Sequence, residues 1–377
     1  MHVRLRSGHR PVFVKVAAVS GVLLPVLLSA QTAAATVARG AYLQTNLVSD
    51  QPGVARHQDS HLVNPWGLSS GPTTPFWASD NGTGVSTLYD GTGQPFPAAA
   101  PLVVRIPPPP GSPTGTNATP TGTVFNSTTD FVITKGGSTG PSRFLFATED
   151  GTIAAWKIDS DPNNAIITVD NSASGAVYKG LTLGSTASGN FLYAANFHDA
   201  TIDVFDKDFH QVALAGSFTD LNLPAGYAPF NVQNLNGLLY VTYALQDSER
   251  QDDVAGAGHG FVDIYDTSGH LLRRFASGGT LNSPWGLAIA PAGFGAFNRN
   301  VLVGNFGDGH INGFDRTTAR FRGQLGDGSG HPIAIEGLWA LRFGNAGPNF
   351  DSNTLYFTAG PDDETHGLFG SLKPAED

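Results

Sequence analysis

The chain has 377 residues, with 21 Lys and Arg against 31 Asp and Glu, a net charge of −10 and no cysteine. An acidic chain lacks the basic face that nucleic acid requires, and charge does not draw it to anionic lipid. Without cysteine there is no disulfide and no thiolate chemistry, so an apolar core alone must hold the fold.

Arg4, Arg6, Arg10 and Lys15 open the chain, an apolar run follows at Val16–Ala30, and small residues follow at Ala33–Ala35. That is the layout of a secretory signal peptide cleaved near Ala35, and it predicts an exported protein, periplasmic or extracellular. A retained N-terminal anchor is the alternative, but the run is shorter than the roughly 20 residues that a span needs. Cleavage removes four positive charges and no acid, which takes the net charge from −10 to −14. No later stretch approaches about 18 continuous apolar residues, so no membrane span is expected in the mature chain.

Beyond residue 40 helical periodicity is nearly absent. Short apolar runs end at "DG", "NG", "SG" and "GG" turns, the pattern of an all-β chain. The string "NPWGL" at Asn64–Leu68 returns as "SPWGL" at Ser283–Leu287, each opening a unit of loop, apolar strand, polar turn and strand closing on an aromatic and Asp. The same grammar, loosened, recurs from "FVIT" at Phe131–Thr134, "YKGLTLG" at Tyr178–Gly184, "YAPFNVQ" at Tyr227–Gln233 and "EGLWALRF" at Glu336–Phe343. Units of about 50 residues, each with about four strands, predict the blades of a β-propeller. The expected domain spans 41–372, with blades at about 64–107, 124–171, 178–219, 227–277, 282–326 and 335–372. The sixth unit runs out of chain, and "AYLQTNLVSD" at Ala41–Asp50 has no blade of its own. Residues 44–49 are therefore expected to complete the last blade and close the ring, which leaves no free edge.

Two insertions stand out. "RIPPPPGSPTGTNATPTGT" at Arg105–Thr123 predicts a semi-rigid strap between blades one and two. "LQDSERQDDVAGAGHG" at Leu245–Gly260 is acidic and without β pattern, and reads either as a mobile surface loop or as a lid over a site.

The unit "P-x-G-L … F/L-Y-V/A-A/S-D/N … I-x-V-F-D-x-x-G" resembles the NHL repeat of six-bladed propellers. The opening "NLVSDQPG…NPWGLS" resembles a group of uncharacterised secreted bacterial propeller proteins. The resemblance implies an all-β, NHL-like six-bladed propeller with four-stranded antiparallel blades. It leaves activity open, because propellers host unrelated functions.

In antiparallel blades, the loop leading into strand one and the loop between strands two and three share a face. Seven of the nine His residues beyond the leader fall there: His57, His61, His198, His259, His310, His331 and His366. His210 and His270 fall on the opposite face. Acids and amides join the first set, which predicts a binding face comprising Trp66, Asp80, Asn81, Asn196, His198, His259, Trp285, Asn305, Asp308, His310, Trp339 and His366. Trp66, Trp285 and Trp339 hold equivalent places in strand one, with Phe131 and Phe230 expected there in blades two and four and Leu181 in blade three. These aromatics either wedge between blades or form a collar at the channel mouth.

Several propellers of the resembled kind hold Zn²⁺ or Ca²⁺ on the channel axis. By that analogy His198, His310, His366 and Asp308 are the metal candidates, three imidazoles suiting Zn²⁺. Asp80, Asn196, Asn305 and Asp308 suit Ca²⁺. No Ser sits at a recognisable strained strand-to-helix elbow, so no catalytic residue is assigned. The expected function is an exported module that binds a small molecule, glycan or protein through the His/Asp/Asn-rich face. The alternative is a metal-dependent lyase or hydrolase in the central channel, and a scaffold for surface assembly is a third reading.

Overall fold

The computed structural model describes residues 40–345, 347 and 350–375, and the proposed leader lies outside them. Four blades are plain four-stranded antiparallel sheets numbered outward from the axis. Blade one runs Pro65–Ser69, Phe76–Asp80, Val85–Tyr89 and Val103–Arg105. Blade two runs Pro120–Phe125, Phe144–Thr148, Thr152–Trp156 and Ile166–Asp170. Blade four runs Tyr227–Leu235, Leu238–Leu245, Phe261–Tyr265 and Leu271–Ser277. Blade five runs Pro284–Ile289, Val301–Asn305, Ile311–Phe314 and Phe321–Gln324. Blade three has Tyr178–Thr186, Gly189–Asn196 and Thr201–Phe205, and its outer strand shrinks to a single bridge between Phe205 and Gln211.

Blade six begins with Leu338–Phe343, Leu355–Ala359 and Leu368–Pro374. Its fourth strand is Tyr42–Ser49, paired antiparallel with Gln44 opposite Leu372 and Ser49 opposite Leu368, and the short strand His57–Gln58 adds parallel outside it. The first strand among the described residues thus closes the ring, as the sequence predicts. Asp50 clasps the joint: its carboxylate accepts the Gly367 N–H at 2.8 Å and meets the His366 ring at 2.7 Å. The six inner strands contact one another in cyclic order around the axis. Helix among the described residues is limited to short 3₁₀ turns at Ser172–Ser174 and Gly295–Phe297, and no helix there is long and apolar enough to cross a membrane.

Each inner strand carries a register shift against its second strand, as between Pro65 and Leu68 or between Pro284 and Gly286. A bulge of this kind adds one residue and turns it out of the ladder. The register puts Trp66, Thr121, Lys179, Phe230, Trp285 and Trp339 at this position in blades one to six. Blade two corrects the expectation for Phe131. Its inner strand is Pro120–Phe125, so Thr121 holds the place assigned to Phe131. "FVITK" instead forms a separate hairpin, Val132–Lys135 with Ser138–Pro141, and the Phe131 ring packs edge-on to Phe209. Blade three is corrected too, because Lys179 rather than Leu181 stands at the axial place.

The glycine after the axial residue lets neighbouring inner strands approach. A Cβ on Gly67 would lie 2.5 Å from the Thr121 carbonyl oxygen, and one on Gly286 would lie 2.7 Å from that of Trp339. Real side chains do not tolerate such distances, so PWGL is first a packing signature.

Candidate functional site

The axial aromatics neither wedge between blades nor ring an open mouth. They fill the axis. Trp66 stacks on Trp339 with centroids 3.5 Å apart, and Trp285 meets both edge-on at 6.3 and 5.9 Å. Phe230 packs against Trp66 at 6.4 Å and Trp339 at 5.9 Å, and Phe306 stacks on Trp339 at 4.0 Å. All four axial rings are buried. Six inner strands leave a shaft wide enough for side chains, and four large rings from four blades are enough to plug it. The Trp339 Nε1 donates to Asn64 Oδ1 at 2.9 Å, while the Trp66 and Trp285 Nε1 atoms have no partner among the described residues.

Lys179 is the cation in this layer. Its side chain is 1% exposed, and its ammonium stands 4.8 Å from the Trp66 ring and 5.7 Å from Phe197. Nζ donates to Glu149 at 2.5 Å and to Asp252 at 3.2 Å. Burial alone would lower the Lys179 pKa, but the two carboxylates outweigh it and raise it above the ordinary value. Asn81 steadies the far oxygen of Glu149 at 2.8 Å. Asp252 belongs to the acidic insertion of blade four, so that loop reaches over the axis. It is tied down there, with the Gly256 N–H on Asn282 Oδ1 and the Gly258 N–H on the Leu281 carbonyl.

Glu364 completes the cluster. The three residues Asp362, Asp363 and Glu364 all have left-handed φ, at 54°, 50° and 65°. Each such residue costs roughly 1–2 kcal/mol, and the turn brings the Glu364 carboxylate to Asn64 Nδ2 at 2.6 Å. Asn64 cannot flip, because its Oδ1 already accepts the Trp339 indole. Burial pushes the Glu364 pKa up to about 7, the Asn64 bond opposes this, and the charge of Glu149 adds to it.

The remaining predicted residues lie in their own blades. Asp80, Asn196 and Asn305 hold one register position, opposite Pro65, Tyr178 and Pro284. Asn196 donates to Asp199 at 3.0 Å and Asp203 at 3.1 Å, and Asn305 donates to the Thr280 carbonyl at 2.8 Å and Asp308 at 2.9 Å. Asp80 is fully buried, and burial pushes its pKa well up, with Thr87 opposing the shift. His198 pairs with Asp199 at 3.2 Å, His310 with Asp308 at 3.3 Å, and His259 with the Val254 carbonyl at 2.9 Å.

The metal set His198, His310, His366 and Asp308 does not converge on a point. Among the described residues, the one group of three or more His, Asp or Glu with ligand atoms within 4.8 Å of one another is Asp206, Asp208 and His210. It sits at the turn after strand three of blade three, on the opposite face. The four expected ligands share a rim, and Nδ1 of each imidazole meets a carboxylate of its own loop or, for His366, of the closing clasp. Among the described residues these four side chains do not form a preassembled metal cluster.

Below the aromatic layer the axis is hollow. A cavity of about 300 Å³ runs between the inner strands, with Trp285 at its inner end. Its wall is formed by stretches of five inner strands, including Gly67–Ser70, Gly122–Phe125, Leu181–Leu183, Asn231–Asn234 and Ala340–Arg342. Exposure rises from buried Gly67 and Gly122 to half-buried Gln233, Asn234 and Arg342 and exposed Ser127. The cavity therefore opens on the face of the strand one–two turns, opposite the His-rich rim. Its polar groups are mainly hydroxyls and amides, and among the described residues its one charged side chain is Arg342. The sequence held two unread signals. "PTG" at Pro120–Gly122 matches the P-x-G of "PWG", and Arg342 is a charge in an inner strand.

No family model matches the chain. An uncharacterised protein of Acanthamoeba polyphaga mimivirus is 32% identical over 332 residues, covering 86% of this chain and 78% of that protein. A second uncharacterised mimivirus protein is 32% identical over 334 residues, covering 86% and 84%. Among solved structures, a streptogramin B lyase matches with TM-score 0.49 and 13% identity, covering 89% of this chain and 98% of that one. That likeness is too weak to carry an argument about activity.

Proposed function

We infer a binding function for this chain, which belongs to the same family as the two mimivirus proteins, and we place the ligand in the axial cavity. The observation that supports this is the shape of the axis. It is sealed on the loop face by Trp66, Trp285, Trp339 and Phe230 and hollow on the other. A preformed pocket of about 300 Å³ with a few convergent polar groups is the usual form of a small-ligand site, at the small end of the range. Among the described residues its wall holds Ser, Thr, Asn, Gln and Arg, with no His, Asp or Glu. Proton transfer for a lyase or hydrolase needs a titratable pair within reach of the bond, so the wall supports binding over catalysis. The N-terminal leader motivates the further proposal that binding takes place outside the cytoplasm.

A ligand-observed NMR screen of a fragment library tests this reading. Gln233 is half-buried in the wall, and Gln233→Trp obstructs the cavity. Fragment signals should vanish in Gln233→Trp and persist when His198 and His310 are both changed to Ala. Signals that survive Gln233→Trp but depend on the two His residues would place the site on the rim instead.

A further inference from the structure

We propose that the axial cavity takes a small hydroxylated organic carboxylate, held by the guanidinium of Arg342. This rests on the cavity being the ligand site. Arg342 closes one wall near the open end. Its Nε donates to Ser70 Oγ at 2.9 Å, and its Nη2 donates to the Ser70 carbonyl at 2.7 Å. Nη1 makes no hydrogen bond among the described residues, and no carboxylate there pairs with the group. The chain carries 31 acids against 21 Lys and Arg, yet none of the acids among the described residues lines this cavity. The outcome is a half-buried cation without a counter-charge in an otherwise acidic protein. Burial pushes its pKa down to about 10, and an anion at the fork reverses that cost.

The geometry selects the class of anion. The two Ser70 bonds hold the planar fork in one rotamer before any ligand arrives, and such preorganisation favours binding. A guanidinium presents parallel donors that match the two oxygens of a carboxylate. One positive charge balances a monoanion, and among the described residues no second cation lines the cavity to balance a phosphate dianion. The lining also carries the hydroxyls of Ser69, Thr123 and Thr182 and the amides of Gln233 and Asn234, of which the Asn234 amide is already held by the Leu183 carbonyl and the Gly237 N–H. Such a wall suits hydroxyls on the ligand. The cavity of about 300 Å³ limits its bulk to that of a sugar acid.

The test titrates the full chain calorimetrically with glucuronate, galacturonate and gluconate, each against the matching neutral glucose or galactose, and with glucose 6-phosphate. At least one carboxylate should bind tenfold or more tightly than its neutral counterpart and more tightly than the phosphate. This comparison uses the unaltered chain, so it stands even if a variant misfolds. Arg342→Gln should weaken the carboxylate by roughly 10- to 100-fold and erase the preference, and Arg342→Lys should keep part of it. The proposal is overturned by equal binding of acid and neutral sugar, by preference for the phosphate, by a preference that survives Arg342→Gln, or by no carboxylate binding tighter than about 10 mM. A neutral sugar that binds and is excluded by Gln233→Trp would sink the carboxylate while leaving the cavity as the site. A carboxylate bound equally well by Gln233→Trp would sink both.

Discussion

Glu364→Gln should stabilise the protein, and only on the alkaline side. In the unfolded chain Glu364 ionises near 4.5, whereas in the fold burial raises it to about 7. Between those values the folded state holds a proton that the unfolded state has lost. Stability therefore falls as pH rises through the window, and the penalty is complete above about pH 7. At 1.36 kcal/mol per pKa unit the shift amounts to about 3 kcal/mol at most. Glutamine stays neutral at every pH, and its Oε1 can still accept from Asn64 Nδ2. Urea unfolding of both proteins at pH 4.5 and pH 8 checks this. The difference isolates Glu364 from the other carboxylates that titrate in acid. The variant should be more stable at pH 8 by up to about 3 kcal/mol, with the gain fading towards pH 4.5. A gain equal at both pH values, or no gain at pH 8, would refute the assignment of a strained, desolvated carboxylate at the rim.

Trp66→Ala removes the ring that Trp339, Trp285, Phe230 and Lys179 all touch. A loss of about 3–5 kcal/mol is expected, read as a lower melting temperature by calorimetry. An unchanged melt would mean that the aromatic layer does not bear on stability. Lys179→Met leaves Glu149 and Asp252 without their shared cation and should cost about 3–5 kcal/mol. Adding Glu149→Gln should recover part of that loss. Simple additivity in the double-mutant cycle would argue against the ion pair.

Much of the architecture was legible because a propeller blade is a local object. Apolar runs, "DG" and "NG" turns and the recurring "PWGL" are short-range signals, and six of them in series imply a ring. The fate of Tyr42–Ser49 followed from the one blade that lacked an outer strand. The sorting of loops onto two faces also came from topology alone. The centre of the molecule was not legible, for a physical reason. The residue that meets the axis is selected by a bulge in each inner strand, and sequence pattern does not register a one-residue bulge. Hence Phe131 was expected where Thr121 stands, and Lys179 went unread beside Leu181. Sharing a rim also does not bring side chains to one point, which is why His198, His310 and His366 remain with their separate carboxylate partners. Blade number and ring closure thus lie in the order of residues along the chain. Which end of the axis is plugged and which is hollow depends on how four rings from four blades stack across it, and only the assembled ring decides that.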